Sequence, residues 1–122
     1  MNKFKFEELN VYQKSLDFVD SVYLQIKDFP KSEVYNLSSQ FRRAATSIPL
    51  NIAEGQGNTN LQFNRFVMIA KSSINECVVC NEMAKRQDYI TEEQYDNNRN
   101  ELLELSKMLT KLSQYLKSQR VK

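Results

Sequence analysis

With 122 residues, 41% hydrophobic and 26% charged, the chain can bury one core but is too short to divide comfortably into two domains. Its two glycines and two prolines are too few turn residues for a β-sandwich or an α/β fold of this size, which leaves long helices. Histidine is absent, which removes the usual general base near neutral pH, the Ser-His and Cys-His pairs and the Glu-x-x-His ligands of a di-iron bundle. The chain is therefore not expected to be an enzyme, to hold a cofactor or to take a small-molecule substrate.

The start, Met1-Asn2-Lys3-Phe4-Lys5, lacks the apolar run of a signal peptide. No stretch approaches the roughly 18 apolar residues of a membrane span. A cytoplasmic protein without a membrane partner is the expectation.

The first helix is predicted over about residues 7–28, where Leu9, Tyr12, Leu16, Val19, Tyr23 and Ile26 recur in steps of three and four. Phe29-Pro30 ends it, since proline cannot continue a helix and drives the residue before it out of the α region. Ser32 is the expected N-cap of a second helix over about residues 33–55. Val34, Leu37, Phe41, Ala44, Ala45, Ile48 and Ile52 lie on one side of it, Pro49 costs it one hydrogen bond, and Gly55-Gln56-Gly57 stops it.

Thr59 to Gln62 reads as a capping box for a third helix over about residues 60–87. Its apolar arc, Phe63, Phe66, Val67, Ala70, Ser73, Ile74, Cys77, Cys80 and Ala84, is wide enough to suggest a second partner surface. Thr91 to Gln94 is another capping box, opening a fourth helix over about residues 92–118 with a seam of Leu102, Leu105, Leu109, Leu112 and Leu116. Long helices joined by short connections fold back on their neighbours. The predicted fold is all-α, a single antiparallel up-down-up-down four-helix bundle over residues 1–122.

Cys77 and Cys80 sit three apart, on one helical face, and read most simply as small core residues. A redox pair or half a zinc site are the sharper readings, but zinc needs further Cys or His ligands. Gly55-Gln56-Gly57 lacks the preceding strand and the lysine of a phosphate loop. Acidic pairs such as Glu7-Glu8 and Glu92-Glu93 lie at helix starts, where they complement the helix dipole.

The net charge is only +2, yet after Glu104 no acid occurs while Lys107, Lys111, Lys117, Arg120 and Lys122 follow. A solvated helix end complementing the dipole is one reading. A nucleic-acid contact is the other, with Arg42, Arg43, Lys85 and Arg86 as further candidates. Between Gln40 and Gly55, at about 100° per residue, Phe41, Ile48 and Ile52 face the core. Arg42, Thr46, Pro49 and Ala53 then form a flank of mostly small residues, and Arg43, Ser47, Leu50 and Glu54 lie on the far side. Arg42 and Arg43 are either solvated or paired within the bundle. Otherwise Arg43, Ser47, Leu50 and Glu54, with Met68, Ser72 and Val79 on the outer side of the third helix, pack against another subunit.

The chain resembles the 23S rRNA-intervening-sequence proteins over about residues 4–116. The resemblance is carried by Phe6 to Gln13, Phe29-Pro30, Glu33 to Leu37, and above all Gln40 to Ile48 with Asn51-Ile52-Ala53-Glu54-Gly55, followed by Phe66, Ile69-Ala70 and Glu76. Tyr12 stands where the family often has Trp, Ser72-Ser73 where it often has Gly-Ser, and Asn58-Thr59 where Arg-Ser is common. The resemblance implies an antiparallel four-helix bundle assembled as a ring-shaped homopentamer without known catalytic activity. The related accessory variability proteins of diversity-generating retroelements are similar pentamers that bind nucleic acid and a reverse transcriptase. The expected role is a non-catalytic oligomeric scaffold presenting basic residues to RNA or a ribonucleoprotein. The alternative is a protein-interaction module, a retroelement or toxin-antitoxin accessory partner, that never touches nucleic acid.

Overall fold

The structure, a computed structural model, describes residues 3–120, with the Arg120 side chain outside that description. Four helices make it up: α1 (Asn10–Ile26), α2 (Leu37–Gly55), α3 (Asn60–Arg86) and α4 (Glu92–Arg120). No strand occurs among the described residues. The pairing is that of an up-down-up-down bundle. Ser47 meets Ser73 between α2 and α3, and Asn98 meets Asn81 while Ser113 meets Asn64 between α3 and α4. The α2–α3 and α3–α4 faces are the most extensive, and α1 touches α4 over the smallest one.

Two helix starts differ from the sequence expectation. Residues Lys5–Glu8 form a separate 3-10 turn, and α1 begins at Asn10 because Leu9 is extended. Ser32 does not cap α2. It lies inside a 3-10 turn, Lys31–Glu33, and α2 begins only after Asn36, whose φ of −120° and ψ of −107° interrupt the helical path. The Glu33 carboxylate takes the cap's place by accepting the Leu37 N–H at 3.2 Å. At the start of α3 only the Thr59 half of the box forms, with Gln62 N–H donating to Thr59 Oγ1. Both halves form at α4, between Thr91 and Gln94.

The core face of α1 is the second correction. The expected stripe of Leu9, Tyr12, Leu16, Val19, Tyr23 and Ile26 is half-buried or exposed, whereas Val11, Ser15, Phe18, Val22 and Gln25 are buried. Phe18 packs tilted against Phe41 of α2, with ring centroids 6.4 Å apart. In α2 to α4 the expected apolar arcs are the core, with Phe66 and Leu112 at its margin, except that Val34 is exposed because it lies on the turn before α2 begins. Pro49 lies buried within a continuous α2.

A polar cluster lies within this core, toward the end of the bundle where α1 and α3 finish and α4 begins. Gln25 and Asn98 exchange two amide hydrogen bonds, at 2.9 and 2.8 Å. Asn98 also donates to Asn81 Oδ1 at 2.9 Å, and Asn81 donates to the Tyr95 carbonyl at 3.1 Å. Gln25 uses its remaining N–H on Ser21 Oγ. Among the described residues no buried side-chain polar atom lacks a partner, so the cluster escapes the penalty of unsatisfied burial. It ties α1, α3 and α4 in one register.

Candidate functional site

The far side of α2 and the outer side of α3 are adjacent, because α2 packs against α3 along its length. Arg43, Leu50 and Glu54 are exposed on the first, and Met68, Ser72 and Val79 on the second. Leu50 is 64% and Val79 57% exposed. Ile69 and Met83 add further exposed apolar surface on α3. Ser47 differs from its neighbours: it is half-buried at the α2–α3 seam, accepts from Ser73 Oγ at 2.8 Å and is bonded by Asn51. Glu54 keeps its carboxylate outside while Asn58 donates to its carbonyl.

On the opposite flank of α2 lies an apolar groove of about 430 Å³, lined by Phe6, Tyr12, Leu16, Val19, Thr46, Pro49, Leu50 and Ala53. The small residues of α2 here do admit another helix, and that helix is α1. The α1 stripe expected in the core forms the other wall instead. Phe6 is held over the mouth by an edge-to-face contact with Tyr12, centroids 5.1 Å apart.

The basic residues do not form one patch. Lys85 pairs with Glu92 at 2.8 Å and lies over the Tyr95 ring, and Arg86 Nε pairs with Glu82 at 3.2 Å. Both thus belong to the α3–α4 turn; the Glu92 bond raises the Lys85 pKa. Arg43 faces α3 beside Ser47 and Glu76, and Arg42 faces the α1 side with Ser38. Lys107, Lys111 and Lys117 are exposed on α4, which lies diagonally across the bundle from α2. Their ion pairing does not appear among the described residues. The Arg120 side chain and Lys122 lie outside the described residues.

The cysteines are buried and free of disulfide. Burial pushes the Cys77 thiol far up and the Cys80 thiol to about 11, so neither is a nucleophile at neutral pH. From the Cys80 shift alone, the thiolate fraction falls roughly 100-fold below that of an exposed thiol. Reaction of native protein with a chromogenic disulfide is expected to be slower than that of urea-unfolded protein by at least this factor, and equal rates would contradict the burial. At the α1–α4 seam, Lys14 pairs with Glu104 at 2.7 Å beside Asp17 and Glu101. Burial, then the neighbouring carboxylates, hold Glu101 above the ordinary carboxylate range. No group of three His, Cys, Asp or Glu residues among the described residues is placed to hold a metal ion, and no described helix is long and apolar enough to cross a membrane.

Residues 7–111 match the family model of the 23S rRNA-intervening sequence protein. The fold is similar to that of a solved protein of unknown function from the S23 ribosomal protein family of Bacteroides thetaiotaomicron. The TM-score is 0.76 and the identity 32%, over 85% of this chain and 95% of that one. No curated protein matches the chain.

Proposed function

The chain belongs to the 23S rRNA-intervening sequence protein family, and from that premise we propose that it works as an oligomeric, non-catalytic scaffold for RNA or a ribonucleoprotein. The observation that carries the oligomer is the amount of apolar side chain left outside the core. The α1–α2 groove is lined almost wholly by apolar side chains, and Met68, Ile69, Val79 and Met83 are exposed on α3. Surfaces of this kind on a small chain are typical of association sites. A head-to-tail contact between unlike surfaces closes into a ring when its rotation closes, and the pentameric ring of the resembling proteins is the assembly we propose. Replication around it multiplies whatever phosphate contacts one subunit makes.

A second reading is a protein-interaction module, akin to a retroelement accessory partner, in which the groove holds another polypeptide. The almost wholly apolar lining of that groove favours it. Light scattering combined with titration of a fluorescent structured RNA at low and high salt separates the two. A ring-sized mass with binding that weakens steeply with salt supports the scaffold, and Arg43→Glu and Lys111→Glu are then expected to weaken it across sequences. A ring-sized mass with no RNA binding favours the module, and a stable monomer overturns the oligomer.

A further inference from the structure

A second concave surface lies at the corner where α1 turns into α2. It holds about 370 Å³ between Tyr23, Ile26 and Phe29 on one side and Val34 and Ser38 on the other, with Lys27, Lys31 and Arg42 around it. We infer that this corner groove binds single-stranded RNA, an unpaired base lying against Tyr23 and the flanking phosphates on Lys27, Lys31 and Arg42. The inference rests on the RNA reading above and gives it a site, adding Lys27, Lys31 and Tyr23 to residues the sequence patterns singled out.

Charge is the first argument. All three cations are exposed, none makes an ion pair among the described residues, and no carboxylate lines the groove. The nearest acids along the chain are Asp28 and Glu33. Glu33 is committed elsewhere, accepting from Leu37 N–H at 3.2 Å and from Tyr89 Oη at 2.9 Å. The same two bonds fix the 3-10 turn that carries Lys31.

The apolar part is the second. Tyr23 is 45% exposed on α1, while Phe29 is a buried floor braced against Tyr89 at 5.2 Å between centroids. Bare anions gain nothing from such a floor, and a purely apolar partner gains nothing from three cations. A polymer that alternates flat π-faces with phosphates satisfies both halves. A duplex keeps its bases stacked inside, so the single strand is the form that fits. Tyr35, one residue beyond Val34, is 93% exposed and offers a second ring on the same turn.

The test uses the full chain and a fluorescent oligouridylate of about twelve nucleotides, followed by anisotropy over a salt series, with helicity checked by circular dichroism. Lys27→Glu/Lys31→Glu is expected to weaken binding about tenfold or more and to flatten the slope of log K against log salt by about 0.7 for each lost phosphate contact. Tyr23→Ser is expected to weaken it about tenfold at an unchanged slope, and Tyr23→Phe to bind as wild type. Folded corner variants that bind as tightly as wild type overturn the site while leaving RNA binding standing. Preference for duplex over single strand also overturns it, and a wild type that binds no RNA at all removes both readings.

Discussion

Replacement of Asn98 by aspartate is expected to destabilise the bundle by about 3–5 kcal/mol at pH 7, a large share of the ~5–15 kcal/mol that holds a typical domain together. Asn98 is fully buried and its amide donates to both Gln25 Oε1 and Asn81 Oδ1. A carboxylate there cannot donate to either and must lose its own hydration. Desolvation raises its folded pKa above the unfolded value of about 3.9. The sign follows: the variant is most stable below the unfolded pKa and loses stability as pH rises through the folded one. Urea midpoints at pH 7 and pH 5 check this, with the Asn98→Asp deficit shrinking at the lower pH. Asn98→Leu removes the charge problem but strands Gln25 and Asn81, at a cost of about 2–4 kcal/mol that does not depend on pH. Wild-type midpoints for both variants would show that the amide cluster carries no stability.

Gly55 gives the second large effect, through space alone. A Cβ added there would lie 2.8 Å from Phe63 Cδ1 and 2.8 Å from Phe66 Cβ. The Phe63 contact is with the end of a ring that can rotate, but the Phe66 atom is fixed to the α3 backbone, so the helices must separate. Gly55→Ala is expected to cost about 1–3 kcal/mol and Gly55→Val more, read as a shift of the urea midpoint. Combination with Phe63→Leu is expected to be less than additive. Combination with Phe66→Ala brings no relief, because alanine keeps the offending Cβ. Full rescue by Phe66→Ala would mean that the ring, not the helix approach, sets the constraint.

The number and order of helices and the cores of α2 to α4 were legible because each carries a sustained apolar series at helical spacing beside its buried polar residues. The face of α1 was not. Its true core stripe is broken by Ser15 and Gln25, while the neighbouring stripe from Tyr12 to Ile26 is unbroken. Periodicity alone prefers the unbroken one. The polar interruption makes sense only with Asn81 and Asn98 in place, and both keep core register, four residues from Cys77 and Leu102. The basic candidates fared differently. Sequence shows charge but not its partner, so Lys85 and Arg86 could not be distinguished from Lys107 and Lys111. The corner groove was missed because Lys27 and Lys31 flank the break at Pro30 while Arg42 sits on α2, so no one helical period groups them.

The neighbour order of the helices also bears on how the chain reaches its native state. The extensive faces α1–α2, α2–α3 and α3–α4 join helices that follow one another, while the α1–α4 face, the smallest, joins the two ends of the chain. Loop-closure entropy is therefore modest for most of the core and is concentrated in one late step. Topologies dominated by such local contacts fold in microseconds to milliseconds. The bundle can assemble hairpin by hairpin, with the Gln25–Asn98 amide pair and the Lys14–Glu104 ion pair forming as α1 and α4 finally meet.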